Sequence, residues 1–115
     1  MSYRILRVNE LIQRELNQIF LREIELPTNV LVTITRVETA DNFSEAKVYI
    51  SCLPETETFE IMHILEKNIY DIQQHLNHRL TMRMVPKIRF VEEIKTKEAG
   101  RIENLLRKIK RGKRV

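Results

Sequence analysis

V-T-I-T-R-V-E-T-A-D-N-F-S-E-A-K-V-Y-I-S, residues 32–51, is the stretch whose reading decides the fold. Val32 and Ile34 alternate with Thr33 and Thr35, and Ala46, Val48 and Ile50 alternate with Lys47, Tyr49 and Ser51. A period of two marks half-buried strands with one apolar face. Between the two runs, Asp41-Asn42-Phe43-Ser44 supplies side chains that hydrogen-bond their own backbone in turns. The parity breaks near Arg36, where Val37 falls on the face opposite Ile34. A bulge, or the end of the strand, at Thr35 or Arg36 accounts for that break. The stretch therefore reads as an antiparallel hairpin that needs helices on one side only.

The flanking sequence supplies those helices. In residues 3 to 25, Ile5, Val8, Ile12, Leu16 and Ile19 repeat every three or four positions, with Leu11 and Phe20 widening the stripe. Arg7, Arg14, Gln18 and Arg22 lie opposite, Glu10 stands one turn before Arg14, and Pro27 ends the segment. After Leu53-Pro54, Thr56 or Thr58 is a fair N-cap, with Glu57 and Glu60 in the first turns. Met62, Leu65, Ile69, Ile72, Leu76 and Leu80 then keep one phase, and no glycine or proline interrupts residues 55 to 85. The pattern alone predicts one continuous helix over residues 58–80. Pro86 punctuates it, and Lys87-Ile88-Arg89-Phe90-Val91 reads as a third strand with Ile88 and Phe90 on one face. Ile102, Leu105, Leu106 and Ile109 give residues 101–110 a last helical stripe.

A length of 115 residues, 43% hydrophobic and 31% charged, fits a single soluble domain. No apolar run approaches the roughly 20 residues that span a bilayer, and the N-terminus lacks the apolar stretch of a signal peptide. A lone cysteine, Cys52, cannot form an internal disulfide, which makes a reducing cytoplasm the expected compartment. The net charge of +4 is uneven. Arg107, Lys108, Lys110, Arg111, Lys113 and Arg114 hold six of the 20 basic groups within eight residues that contain no acid. The remainder has 14 basic against 16 acidic groups. A polycationic tail suits a nucleic-acid arm, since each cation near a phosphate releases counterions; the same composition also serves solubility.

Little in the chain suggests catalysis. His75 and His78 are three apart on a predicted helix, but Asp71 makes only a thin third ligand, and surface histidines are the simpler reading. Cys52 reads as a small buried hydrophobe. Ser44 and Ser51 lack a glycine-flanked elbow, and two glycines, Gly100 and Gly112, cannot build a phosphate-cradling loop. Glu92 and Glu93 are adjacent and point apart on a strand. The electrostatic signal is stronger. Arg79, Arg83, Lys87 and Arg89 follow one another with no acid between them, whereas residues 55 to 66 hold four acids and no base. Such a run forms either a cationic patch beside the sheet, able to fork onto phosphates, or a solvated face with cross-element ion pairs.

Arg7-Val8-Asn9-Glu10-Leu11-Ile12-Gln13-Arg14-Glu15-Leu16 resembles the opening helix of ribosome-binding factor A, a family of bacterial small-subunit assembly proteins. Val32-Thr33-Ile34-Thr35 with Val37, and Ala46-Lys47-Val48-Tyr49-Ile50-Ser51, resemble its hairpin. Arg79-Leu80, Arg83, Val85-Pro86, Ile88-Arg89-Phe90-Val91 and Arg101-Ile102-Glu103 with Leu105-Leu106 are similar to its later segments. The resemblance implies an α+β, KH-like type II domain, helix-strand-strand-helix-helix-strand, over residues 1–92, with its three-stranded sheet covered on one face. A basic extension over residues 93–115, partly helical or disordered, would follow. It further implies a non-catalytic, cofactor-free monomer that binds the small (30S) ribosomal subunit and its 16S rRNA during late maturation and rRNA processing, with a role in growth in the cold. RNA in such folds meets the junction of the second and third helices, where the family generally carries Ala-x-Gly. The matching triplet here is Asn68-Ile69-Tyr70, which lacks the glycine that eases a sharp kink and a close backbone approach. A bend is nevertheless expected near residues 68–71, because a straight helix of this length would overhang short strands. Side chains then become the expected RNA contacts: Arg4, Arg7, Lys67, Asn68, Arg79, Arg83, Lys87 and Arg89 on the body, and Arg107, Lys108, Lys110 and Arg111 in the tail. Two other readings are a protein-docking module using the stripe in residues 101–110, and a metal-dependent enzyme subunit using His75 and His78.

Overall fold

The computed structural model describes residues 2–94. Of the predicted extension over residues 93–115, everything after residue 94, with Arg107, Lys108, Lys110 and Arg111, lies outside the described residues. Strands β1 (Leu31–Thr39) and β2 (Glu45–Leu53) form the expected hairpin, paired antiparallel from Leu31 opposite Leu53 to Thr39 opposite Ala46. The register steps from Ile34–Ile50 to Arg36–Tyr49, so Thr35 is an extra residue in β1. That bulge turns Ile34 and Val37 to the same face, and both are buried. The turn is closed by Ala40 N–H donating to the Glu45 carbonyl (2.9 Å) and Phe43 N–H donating to the Ala40 carbonyl (2.8 Å). Asn42 Oδ1 accepts from Ser44 N–H (3.1 Å) and Ser44 Oγ (2.8 Å). Phe43 takes φ 61°, a left-handed conformation that costs a residue with a Cβ about 1–2 kcal/mol.

Helix α1 (Tyr3–Arg22) starts at Ser2, whose hydroxyl accepts from Ile5 N–H (3.1 Å). It buries Ile5, Val8, Ile12, Leu16, Ile19 and Phe20, as its stripe predicts. It ends at Arg22 rather than near Glu25, and Glu23 N–H closes the last turn on the Ile19 carbonyl (2.7 Å). Ile24 and Leu26 instead pack on the core from the segment that leads into Pro27, which keeps the residue before it extended.

The predicted 58–80 helix is divided, at the place the bend was expected. Helix α2 (Thr58–Lys67) and helix α3 (Ile69–Arg79) meet at Asn68, which has φ −103° and ψ 10°. Asn68 N–H reaches the carbonyls of Ile64 (3.1 Å) and Leu65 (3.2 Å), and its Nδ2 donates to the Ile64 carbonyl (2.8 Å). A negative φ and a self-capping amide explain how the junction forms without glycine. The division also shifts the buried face: Ile61 and Leu65 are fully buried in α2, whereas Met62 and Ile69, expected in the stripe, only flank the core. Neither Thr56 nor Thr58 caps α2. A 3-10 turn over Glu55–Glu57 precedes it, and the Thr58 hydroxyl donates to the Glu55 carbonyl (2.8 Å).

Strand β3 (Lys87–Glu92) pairs parallel with β2, from Glu45–Lys87 to Ile50–Glu92, giving the order β1-β2-β3. The central strand buries Ala46, Val48, Ile50 and Cys52 beneath the helices. This is the helix-strand-strand-helix-helix-strand order of the KH-like type II arrangement. Helix α3 runs antiparallel to α1, with Arg79 Nη1 3.2 Å from Glu15 Oε1 and His75 Nε2 3.7 Å from Glu23 Oε1.

Helix side chains add hydrogen bonds to both outer strands. Asn9 Oδ1 accepts from Thr39 N–H (2.9 Å) and Thr39 Oγ1 (2.6 Å), and Gln13 Nε2 donates to the Ile34 carbonyl (2.9 Å). On β3, Gln73 Oε1 accepts from Ile88 N–H (2.9 Å) while its Nε2 donates to the Pro86 carbonyl (3.1 Å). On the sheet face away from the helices, Arg36 Cζ lies 3.9 Å from the centroid of the Tyr49 ring. Arg36 also pairs with Glu38 (2.7 Å) and Glu93 (3.2 Å), and Glu93 accepts from Thr35 Oγ1 (2.6 Å). Glu93 thus ties the end of β3 to β1 over the middle strand. Tyr49 donates to Glu38 (3.1 Å), and its phenol pKa is raised, first by desolvation and then by that bond.

Gln73→Leu removes both partners of the β3 edge and should cost about 1–3 kcal/mol, read as a lower urea midpoint at unchanged m-value. Arg79→Glu sets a carboxylate against Glu15 and should cost more than about 1 kcal/mol, whereas Arg83→Glu at an exposed position should stay within about 0.5 kcal/mol; paired urea titrations separate them.

Candidate nucleic-acid interface

The described residues contain no group of three or more His, Cys, Asp or Glu side chains placed to hold a metal ion. His78 is exposed, and His75 sits half-buried beside Glu23. Cys52 is buried in β2, and burial pushes its thiol pKa up, against a smaller opposing hydrogen bond with Thr58. A thiol kept protonated in this way is a poor nucleophile.

The cationic side chains divide into distinct locations. Arg79 is only partly exposed and is held by Glu15, so the α1–α3 contact already uses its charge. Arg83 is exposed in the connection between α3 and β3. Lys87 and Arg89 are exposed on β3, alternating with buried Ile88 and Phe90. Arg89 stands opposite Lys47 of β2, a cation the sequence reading did not single out, and the row continues to Glu38 of β1. Lys67 and Asn68 lie at the other end of α3, about 16 Å of helix away from Arg79 at 1.5 Å per residue. The structure therefore does not gather the predicted body residues into one patch. Asn68, moreover, has its side-chain amide committed to the Ile64 carbonyl.

A second concentration surrounds the hairpin tip. Lys87 N–H donates to the Ser44 carbonyl (3.1 Å), which brings the start of β3 against the turn. On the helix side, Arg4 Cζ lies 5.1 Å from the centroid of the Phe43 ring, and Arg7 Cζ lies 6.0 Å from that of Tyr3. Arg7 has a raised pKa, chiefly through its hydrogen bond with Tyr3, and stays charged at any physiological pH. Arg4, Arg7 and Tyr3 are exposed, and Phe43 is half-exposed. Sequence reading reached Arg4 and Arg7 but missed the two rings. Their signals were present: an aromatic residue inside an Asp-Asn-x-Ser turn, and a tyrosine one helical turn before an arginine.

The family model for ribosome-binding factor A matches residues 4–106. Ribosome-binding factor A of Chlorobaculum parvum is 34% identical over 116 residues, covering 97% of this chain and 95% of that protein. Among solved structures, a solution structure of a Thermotoga maritima ribosome-binding factor A homologue superposes with a TM-score of 0.58 at 28% identity, covering 84% of this chain and 92% of that one. A homology model of the Thermus thermophilus factor, fitted into a cryo-EM map of its complex with the 30S subunit, has the same fold at a TM-score of 0.58 and 20% identity, covering 80% and 93% of the two chains. With its bulged hairpin, its divided helical crossover and all of its opening helix but Tyr3 inside the matched region, the chain belongs to the ribosome-binding factor A family.

Proposed function

We propose that the protein is a non-catalytic assembly factor that binds the small (30S) ribosomal subunit and its 16S rRNA during late maturation and rRNA processing. It acts as a cytoplasmic monomer, and the demand for it rises in the cold. The observation that carries this reading is family membership over residues 4–106. The complex reported for the Thermus thermophilus factor supports the choice of partner. Among the described residues, no helix is long and apolar enough to cross a membrane. The exposed cations Arg83, Lys87 and Arg89 on α3–β3, with Arg4 and Arg7 on α1, supply phosphate contacts. Arg107, Lys108, Lys110 and Arg111 add a second, sequence-independent contribution. Phosphate contacts position a protein on RNA and make its affinity fall steeply with salt. Lys67 remains available at the α2–α3 junction, where Asn68-Ile69-Tyr70 offers side chains rather than a glycine backbone.

Co-sedimentation with purified small subunits, large subunits and free rRNA across about 50–200 mM salt tests the reading. Selective, salt-sensitive retention on small subunits is expected, and equal binding to all three RNAs or salt-independent binding would sink it. Arg83→Glu with Lys87→Glu should weaken retention and flatten the log–log salt slope by about 1 per lost phosphate contact. Removal of residues 107–115 should lower affinity without abolishing it.

A further inference from the structure

Phe43 is a bulky residue at φ 61°, in a turn position that glycine occupies without strain. Such a conformation in a side chain with a large ring points to a use for the ring. The ring is not consumed by the core. It is half-exposed, and Arg4 is the cation over it at 5.1 Å. One turn along the same helix face, the arrangement is repeated by Arg7 and Tyr3, whose ring is 71% exposed. Lys87 is fixed beside the turn by its backbone bond to Ser44. The acids of the turn region are Asp41 and Glu45, and Glu45 stands opposite Lys87 in register. Two aromatic rings, each backed by a guanidinium, with a lysine alongside, are the parts of a platform for unstacked bases. Rings take up base faces irrespective of sequence, and the cations track the phosphates between them.

We propose that the end of the molecule formed by the first turn of α1 and the β1–β2 turn binds unpaired RNA, with Phe43 and Tyr3 stacking on bases and Arg4, Arg7 and Lys87 contacting the intervening phosphates. The platform is separate from the α2–α3 junction, at the opposite end of α3 from Arg79. It rests on the reading of the protein as an RNA-binding assembly factor, and it narrows that reading to a single-stranded segment. The rigid hairpin sets Phe43 in advance, so binding does not have to order it.

The test uses the full chain and fluorescein-labelled oligo(A), alone and annealed to oligo(U). Fluorescence anisotropy should show preference for the single strand. Phe43→Gly, which relieves the left-handed strain and so keeps the fold, and Tyr3→Ala should each lower single-strand affinity about 10-fold, with a smaller effect on the duplex. The chain has no tryptophan, so Phe43→Trp places a sole reporter in the turn. It should retain affinity, and its emission should be quenched on addition of oligo(A). Unchanged affinity in Phe43→Gly, or an unquenched tryptophan, overturns the platform. If those variants also sediment with small subunits like the unaltered chain, the assembly-factor reading stands without it. If the unaltered chain binds neither oligo(A) nor small subunits, both fall.

Discussion

Thr35 stands unpaired in β1, and the one-residue slip it introduces keeps Ile34 and Val37 on the same buried face. Without it, every side chain beyond that point would exchange faces, and Val37 would enter solvent while Glu38 entered the core. The bulge also decides what the solvent face presents. Arg36 lies over Tyr49, and Thr35 supplies the hydroxyl that Glu93 accepts from. The apolar face receives α1 and the α2–α3 crossover, and the polar face receives a chain of ion pairs that ties β3 to β1. One insertion thus sorts the two surfaces of the sheet.

The hairpin and the first helix were legible because each has a single dominant period, two for Val32–Ile34 and Ala46–Ile50, between three and four for Ile5 through Ile19. The crossover was legible only in part. Its apolar positions keep phase through Leu80, so periodicity alone could not divide it; the expected break came from the family resemblance, with the size of the sheet it covers as the physical reason. Asn68 performs the division with a local hydrogen bond that any asparagine in a helix can make, so its presence in the sequence did not compel it. The parallel placement of β3 has no local signature, since Ile88 and Phe90 alternate alike whichever way the strand runs. The pairing of Arg79 with Glu15 spans 64 positions and is set by the antiparallel docking of α1 and α3.

That pairing changes how the basic run from Arg79 to Arg89 is understood. Arg79 stabilises the contact of two helices, while Arg83, Lys87 and Arg89 face water. A cation held half-buried between helices has its orientation fixed by a carboxylate, and the exposed ones retain the freedom to meet a phosphate wherever it arrives. The sign change along the crossover, acidic in α2 and basic after α3, therefore gives the two ends of the crossover opposite electrostatic character.

Asn9, Gln13 and Gln73 have one more consequence. A sheet of three strands ends in two rows of backbone groups that an extended segment of another polypeptide could join, and growth by such joining is how small sheets aggregate. The amides of these three residues occupy three of those backbone groups, at Ile34, Thr39 and Ile88, and the Pro86 carbonyl just before β3. Each bond removes one group from the set that an incoming strand could pair with, so both edges of the sheet are partly closed by the helices that also cover its face.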